Sequence, residues 1–198
     1  MSSIVLLSGG IDSTVCLGLA AKKSDDCLAL SVNYGQTHRR ELHAAAAIAK
    51  HYGVEHHEIN IESALDIPCA LTGRGKIPET HANEPDATFV PGRNLVLLSL
   101  ATAWANAWGY GTVVIGANAD DKAGYPDCRP VFLHQLDDAI MTGYRVGVWA
   151  PLLRMTKPEI IELGRTLDAP LHLTWSCYRG GAEQCGRCGA CESNGVTA

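Results

Sequence analysis

The sequence lacks any apolar run long enough to cross a bilayer. Its longest, Leu95 to Trp108, falls short of the roughly 20 residues a membrane helix requires and is interrupted by Ser99, Thr102 and Asn106. It reads as a buried helix, and no membrane partner is expected. Positive charge is also scarce: 16 Lys plus Arg against 21 Asp plus Glu leave a formal net charge of -5. That balance excludes stable nucleic-acid binding by phosphate neutralisation over a broad face, though not a local basic pocket. The first residues carry no basic segment and no cleavage site, only Ile4 to Leu7 ahead of Ser8, so nothing resembles a signal peptide and a cytoplasmic location is expected. Internal repeats and low-complexity stretches are absent. With 46% hydrophobic and only 19% charged residues, the chain reads as one globular domain over 1–198. A domain of this length buries roughly 70% of its unfolded surface and needs no staples to fold.

Eight cysteines fall into two groups. Cys16, Cys27, Cys69 and Cys128 are scattered and read as small buried hydrophobes. Cys177, Cys185, Cys188 and Cys191 are clustered, with two two-residue spacers and Gly186 and Gly189 placed where the chain must fold back. Four thiolates so spaced fit a closed tetrahedral Zn²⁺ knuckle, which leaves no open position for water and is therefore structural. An iron–sulfur cluster also takes four thiolates, but no redox or radical motif accompanies these.

Short apolar or β-branched runs at Ile4–Leu7, Cys27–Val32, Val54–Ile59 and Thr112–Ile115 read as buried parallel strands. Helical patterns lie between them at Ser13–Lys22, Arg39–His51 and Asn94–Trp108. A further helix is expected over Val131–Thr142, a fifth strand near Val146–Ala150, and a capping box at Thr156 with Glu159 opens a helix to about Leu167. The order predicts an α/β fold, a doubly wound parallel sheet with a C-terminal zinc knuckle. Ser63 to Gly92, with four prolines and no periodicity, reads as a lid, a binding segment or a small β excursion.

The first strand runs into Ser8-Gly9-Gly10-Ile11-Asp12-Ser13 and then into a helix. Glycines admit close backbone approach, the serines offer hydroxyls, and the helix start supplies free N–H groups, together an anion cradle. An ordinary turn with Asp12 as N-cap leaves two serines and one glycine without a task. No lysine follows the glycines, so the loop is not a Walker A motif. Pro91-Gly92 reads as a type II turn with Asn94 capping the next helix, which leaves Arg93 as a grip on phosphate. Tyr125-Pro126-Asp127-Cys128-Arg129 reads as a binding segment or as a surface turn with Asp127 and Arg129 paired. Asn118, Asp120 and Asp121 follow the fourth strand, where carboxylates bind Mg²⁺ or the N–H edge of a guanine-like base, or simply face solvent.

The hexapeptide Ser8–Ser13 resembles the pyrophosphate loop of the N-type ATP pyrophosphatases, which cleave ATP between its α and β phosphates. Adding Phe89–Asn94, Gly124–Arg129, Tyr34-Gly35-Gln36 with His38, Trp175–Tyr178 and the cysteine cluster, the chain from Ile4 to Cys191 resembles the 7-cyano-7-deazaguanine synthases, the QueC family of queuosine biosynthesis. The resemblance implies an adenine nucleotide alpha hydrolase-like fold and a cytoplasmic homodimeric ligase. Its reaction joins 7-carboxy-7-deazaguanine and ammonia at the expense of two ATP, with magnesium, and the product is the nitrile. It further implies that Leu7, Ser8, Gly9, Gly10, Ile11, Asp12 and Ser13 hold pyrophosphate and that Val32 to Tyr34 line the adenine. Arg93 and Lys157 then complete the phosphate grip, while Asp120, Asp121, Tyr125, Asp127 and Arg129 meet the deazaguanine. The chain departs from the family at Ala117–Lys122 and at Glu192-Ser193-Asn194-Gly195, where the family continues with a basic and aromatic tail. The rivals are a tRNA-thiolating pyrophosphatase and a non-catalytic nucleotide-binding module acting on a macromolecule. Sheet, helices and knuckle use almost the whole chain, and Cys16 and Cys27 sit in packing positions, so free ammonium and not glutamine is the expected nitrogen source.

Overall fold

The computed structural model describes residues 2–24, 26–62, 65, 67–77, 85–121 and 124–195. Five strands, β1 (Ser3–Leu6), β2 (Cys27–Asn33), β3 (Glu55–Asn60), β4 (Thr112–Val114) and β5 (Gly147–Trp149), form one parallel sheet in the order β3-β2-β1-β4-β5. The chain builds outward from β1 through β2 to β3, then returns to lay β4 against the other side of β1. The connections therefore diverge between β1 and β4, and a crevice opens at the carboxyl ends of those two strands. Ser3 pairs with Cys27 on one side and with Thr112 on the other.

Alternation along β1 sorts the core into two layers. Ile4 and Leu6 pack with Leu98, Ala101 and Ala105 of α3 (Arg93–Trp108) and with Leu133 and Ile140 of α4 (Pro130–Tyr144). Val5 and Leu7 point to the opposite face. There they meet Val15 and Leu17 of α1 (Ile11–Lys23), Ala45 and Ile48 of α2 (Arg40–Tyr52), and Ile160 of α5 (Lys157–Thr166). The capping box at Thr156 forms, with its backbone N–H and its hydroxyl both 2.8 Å from Glu159 Oε2. A last helix, α6 (Gly189–Ser193), follows among the cysteines.

Two expectations need correction. The third strand is not a buried apolar run: Glu55-His56-His57-Glu58-Ile59-Asn60 alternates half-buried and exposed residues, because β3 is the sheet edge and polar side chains there protect an open ladder. The N-cap position of the first helix falls on Gly10, and Asp12 lies inside the first turn. The third helix is capped by Gly92, whose φ of 71° suits the Pro91-Gly92 type II turn, and Asn94 is already helical. In the stretch from Ser63 to Gly92 the described residues form only short 3-10 turns at Ala70–Thr72 and Pro85–Thr88 over a small cluster of Tyr34, Leu65, Cys69, Leu71 and Val90. Residues 63, 64, 66 and 78–84 of that stretch lie outside the described residues.

Candidate active site

The loop after β1 folds back on its own hydroxyls. Ser8 Oγ and Ser13 Oγ are 3.1 Å apart, and Ser8 N–H donates to Ser13 Oγ at 3.2 Å. Ser13 Oγ and Thr14 Oγ1 both donate to the Gly10 carbonyl, at 3.0 and 2.8 Å. The first intrahelical bond runs from Thr14 N–H to the Gly10 carbonyl, and no side chain caps α1. The N–H groups of Ile11, Asp12 and Ser13 thus face the crevice with the positive end of the helix dipole behind them. Gly9 adopts a φ of +89°, and a Cβ there would collide with the carbonyl oxygen of Glu41 in α2. The loop is pinned between α2 and the C-terminal segment, whose Trp175 N–H donates to the Gly9 carbonyl at 2.9 Å.

Asp12 is the hub of a polar network that gathers three distant segments. Lys157 Nζ lies 2.7 Å from both its carboxylate oxygens, and Asn118 Nδ2 donates to Oδ2 at 3.2 Å. Asn118 is fully buried, and its Oδ1 accepts the N–H groups of Asp120 and Asp121 at 2.9 and 3.1 Å. Asp120 in turn accepts the Lys157 backbone N–H at 2.8 Å, holding the start of α5 against the loop after β4. Of the run Ala117–Lys122, Lys122 lies outside the described residues.

Loop and network open into a cavity of about 540 Å³ at the β1–β4 switch point. Ser8, Gly10, Ile11, Asp12 and Ser13 line it together with Arg93, Asp121, Tyr125 and Tyr178, and Leu7, Val32, Tyr34, Asp120 and Lys157 complete the wall. Arg93 Nη1 donates to Tyr34 OH at 3.3 Å and its guanidinium lies 5.9 Å from the Tyr34 ring centre. Burial pushes the Tyr34 phenol up to about 12, against the pull of Arg93. Burial, then the charge of Asp12, raises the Asp121 carboxyl from its ordinary 3.8 to about 6, although Lys157 and Arg93 draw it down. Tyr125 OH shares a 2.9 Å hydrogen bond with Thr88 Oγ1, and its ring tilts against Phe89 at 6.1 Å.

Asp127 and Arg129 do not line this cavity. Asp127 is buried behind its wall, where Oδ2 accepts the Asn94 backbone N–H at 3.0 Å; the carboxylate therefore satisfies the start of α3. Arg129 is exposed and caps α4. Gly9 contributes its carbonyl and its backbone turn, not a cavity-facing atom.

The cysteine cluster forms the far side of the same region. The four sulfurs of Cys177, Cys185, Cys188 and Cys191 lie within 4.8 Å of one another, and three of the four residues are fully buried. A tetrahedral Zn²⁺ with Zn–S bonds of about 2.3 Å sets its sulfurs about 3.8 Å apart, and Cys188 and Cys191 stand at 3.5 Å. The donor set fits a single thiophilic ion held in the closed manner of a structural site. Ser176, Tyr178, Ala190 and Asn194 from this segment line the cavity. Arg40 ties it to α2, donating to the Ala182 carbonyl at 2.8 Å with its guanidinium 5.2 Å from the Trp175 ring centre.

The model of the family described as "Queuosine biosynthesis protein QueC" matches residues 2–195. The chain belongs to the QueC family. A relative in Thermoplasma volcanium named 7-cyano-7-deazaguanine synthase is 38% identical over 200 residues, covering 96% of this chain and 83% of the relative. In Desulfitobacterium hafniense, 7-cyano-7-deazaguanine synthase 2 is 42% identical over 199 residues, covering 96% and 84%. The fold of the QueC chain is similar to that of the NMN synthetase of Francisella tularensis, with a TM-score of 0.55 and 21% identity over 92% of this chain and 69% of that one.

This QueC chain places at the site residues that neither the loop nor the motifs named, among them Glu41, Gly116 and Leu97. Glu41, in the first turn of α2, lines the cavity and accepts from Gln36 Nε2 at 2.9 Å and pairs with His38 Nε2 at 2.9 Å. Gly116 backs onto Asp12, where an added Cβ would stand 3.2 Å from the Asp12 Cβ. Leu97 supplies an apolar patch from α3. The spacing of His38 and Glu41 was the available signal for Glu41, whereas nothing in the local sequence marks Gly116 or Leu97.

Proposed function

We propose that the chain is an ATP-dependent nitrile-forming ligase that converts 7-carboxy-7-deazaguanine and ammonia into 7-cyano-7-deazaguanine for queuosine biosynthesis. The observation that carries this reading is that an uncapped helix start with a serine-lined loop shares one cavity with Arg93, Asp121 and three tyrosines. A cavity of about 540 Å³ lies in the usual range for small-molecule sites, roughly 300–1,000 Å³. The names carried by the QueC relatives agree with it.

A carboxylate is a poor electrophile, so its oxygen first attacks the α-phosphorus of ATP and pyrophosphate leaves. The loop amides of Ile11, Asp12 and Ser13, with the Ser8 and Ser13 hydroxyls, are aimed at the charge that develops on the departing pyrophosphate. Lys157 neutralises the same region, and Val32 and Tyr34 at the end of β2 border the adenine. Asp12, with Asp120 beside it, offers the hard oxygen donors that suit magnesium, which when bound would screen the phosphate charge. Ammonia displaces AMP from the acyl adenylate, giving the amide and releasing a proton. A second ATP adenylates the amide oxygen, and loss of AMP with the remaining amide protons leaves the nitrile. Asp121 accepts from the N–H edge of the base, and Tyr125 and Tyr178 flank its ring.

Zinc at Cys177, Cys185, Cys188 and Cys191 supplies structure only, fastening the Trp175–Asn194 segment over the cavity. The protein acts as a cytoplasmic homodimer, supported by the large apolar side chains Trp108, Val131 and Tyr144 exposed on α3 and α4. Mass spectrometry of the product formed from 7-carboxy-7-deazaguanine, ATP and ammonium tests the reading. Nitrile with two AMP per turnover is expected, whereas ATP binding without acid-dependent AMP release would mark a nucleotide-binding module.

A further inference from the structure

The cavity presents two fixed cations, and they are differently engaged. Lys157 sits on the phosphate-loop side with both oxygens of Asp12 within 2.7 Å. Arg93, at the start of α3, lines the same cavity, and among the described residues it forms no ion pair. Its hydrogen-bond partner is the neutral hydroxyl of Tyr34 at 3.3 Å. A guanidinium enclosed by aromatic rings, with one of its five N–H donors satisfied by a phenol, is built to receive an anion at its cavity-facing side.

Two different anions must be bound for the reaction. The triphosphate is already offered donors on the loop side, namely the N–H groups of Ile11, Asp12 and Ser13 and the Lys157 ammonium. The second anion is the carboxylate of a flat heterocycle. The surroundings of Arg93 suit that ligand better than a phosphate chain: Tyr34, Tyr125 and Tyr178 all line the cavity with it, and Phe89 backs Tyr125. Aromatic walls flank planar rings, whereas phosphates gain nothing from them. Asp121 borders the same chamber, and a carboxylate there suits the N–H-rich edge of a base.

We infer that Arg93 is the receptor for the substrate's carboxylate, not for ATP, so that it distinguishes the acid that enters the first half-reaction from the neutral amide that enters the second. The inference rests on the nitrile-forming reading above. The amide carries no charge, and a group that binds carboxylate contributes far less once the amide has formed. Arg93 is then a specificity-determining residue of the first half-reaction, and its fork, not merely its charge, matches the two carboxylate oxygens.

The test compares the two half-reactions in Arg93→Met and Arg93→Lys, measuring amide formation from 7-carboxy-7-deazaguanine and nitrile formation from the amide, each at saturating ATP. Zinc content and melting temperature verify that each variant folds. In Arg93→Met, kcat/KM for the acid is expected to fall at least 100-fold and at least tenfold more than kcat/KM for the amide. Arg93→Lys, which keeps charge and loses the fork, should fall between and preserve the sign of that ratio. Equal losses in both half-reactions with a raised KM for ATP would assign Arg93 to the nucleotide and overturn the inference, as would wild-type behaviour in both. A wild-type protein that releases no AMP with either acid or amide would overturn the nitrile-forming reading and this inference together.

Discussion

Lys157 Nζ lies 2.7 Å from both carboxylate oxygens of Asp12, closing a contact across 145 residues of sequence beside the loop that follows β1. The pair is only partly buried, at 15% and 23% side-chain exposure, so its direct worth to the fold is modest. Its consequence is positional. The Asp12 carboxylate at the start of α1 is held by an ammonium, with Asn118 fixing its rotamer from the β4 side.

Asp12→Ala should therefore abolish acid-dependent AMP formation, by on the order of 10²–10³-fold, a loss typical of removing one preorganised electrostatic group. The same variant should melt within a few degrees of the wild type, because Asp12 contributes nothing to either core layer. AMP release followed by chromatography, beside a thermal melt, checks both halves. Turnover near the wild-type rate would remove Asp12 from the chemistry.

Asp121 gives a pH signature. Its carboxyl stands at about 6 in the folded chain against an ordinary 3.8, so the fold favours the protonated form. The stabilising contribution is complete below the unfolded value and is lost as pH rises through about 6. Asp121→Asn is expected to be more stable than the wild type at pH 7.5, by on the order of 1–2 kcal/mol after solvent screening, with the difference shrinking towards pH 4. Activity runs the other way: a carboxylate that accepts from the base must be ionised, so kcat/KM for the acid should fall about tenfold per unit below pH 6. Denaturant titrations at several pH values, and a pH profile of kcat/KM, measure the two effects. A variant equally destabilised at every pH would contradict the first.

Asp127 separates structural from functional carboxylates in the same segment. Its bond to the Asn94 backbone N–H predicts that Asp127→Ala costs about 1–2 kcal/mol of stability, as loss of a helix cap does. Arg93 precedes Asn94 directly, so KM for the acid should rise severalfold with kcat less affected. A loss of activity as deep as that of Asp12→Ala, with no change in melting, would return Asp127 to the substrate.

The α/β order and the loop-to-helix turn after β1 were legible because both are local: apolar runs of four to seven residues between Ala- and Leu-rich helices announce a parallel sheet, and glycines with serines announce a tight turn into a helix. What escaped was non-local. Asn94 looks like a cap in its own segment, yet its N–H is met by Asp127, 33 residues on. Val54–Ile59 looks interior by its valine and isoleucine, yet the crossover topology leaves that strand at the edge, where its histidines and glutamates find solvent. The spacing of His38 and Glu41 hints at their pairing, yet the close approach of α2 to Gly9 that brings Glu41 to the cavity joins two distant segments.

The cysteine knuckle makes the last prediction, because it ties stability to the shape of the cavity. Zinc binding energy is folding energy for such a segment, since the four thiolates have no preformed arrangement in the unfolded chain. Purified protein should carry about one zinc per chain, and Cys188→Ser should lose it. The segment that zinc fastens also supplies the Trp175 N–H to Gly9 and the Ser176, Tyr178, Ala190 and Asn194 side of the cavity. Loss of metal should thus lower both the melting temperature and AMP formation, and protease cleavage should move into residues 175–195 while the five-stranded sheet stays resistant. Metal analysis by mass spectrometry and limited proteolysis of the wild type and Cys188→Ser read all three. Iron in place of zinc, or a metal-free variant with full activity and an unchanged cleavage pattern, would break the link between the knuckle and the site.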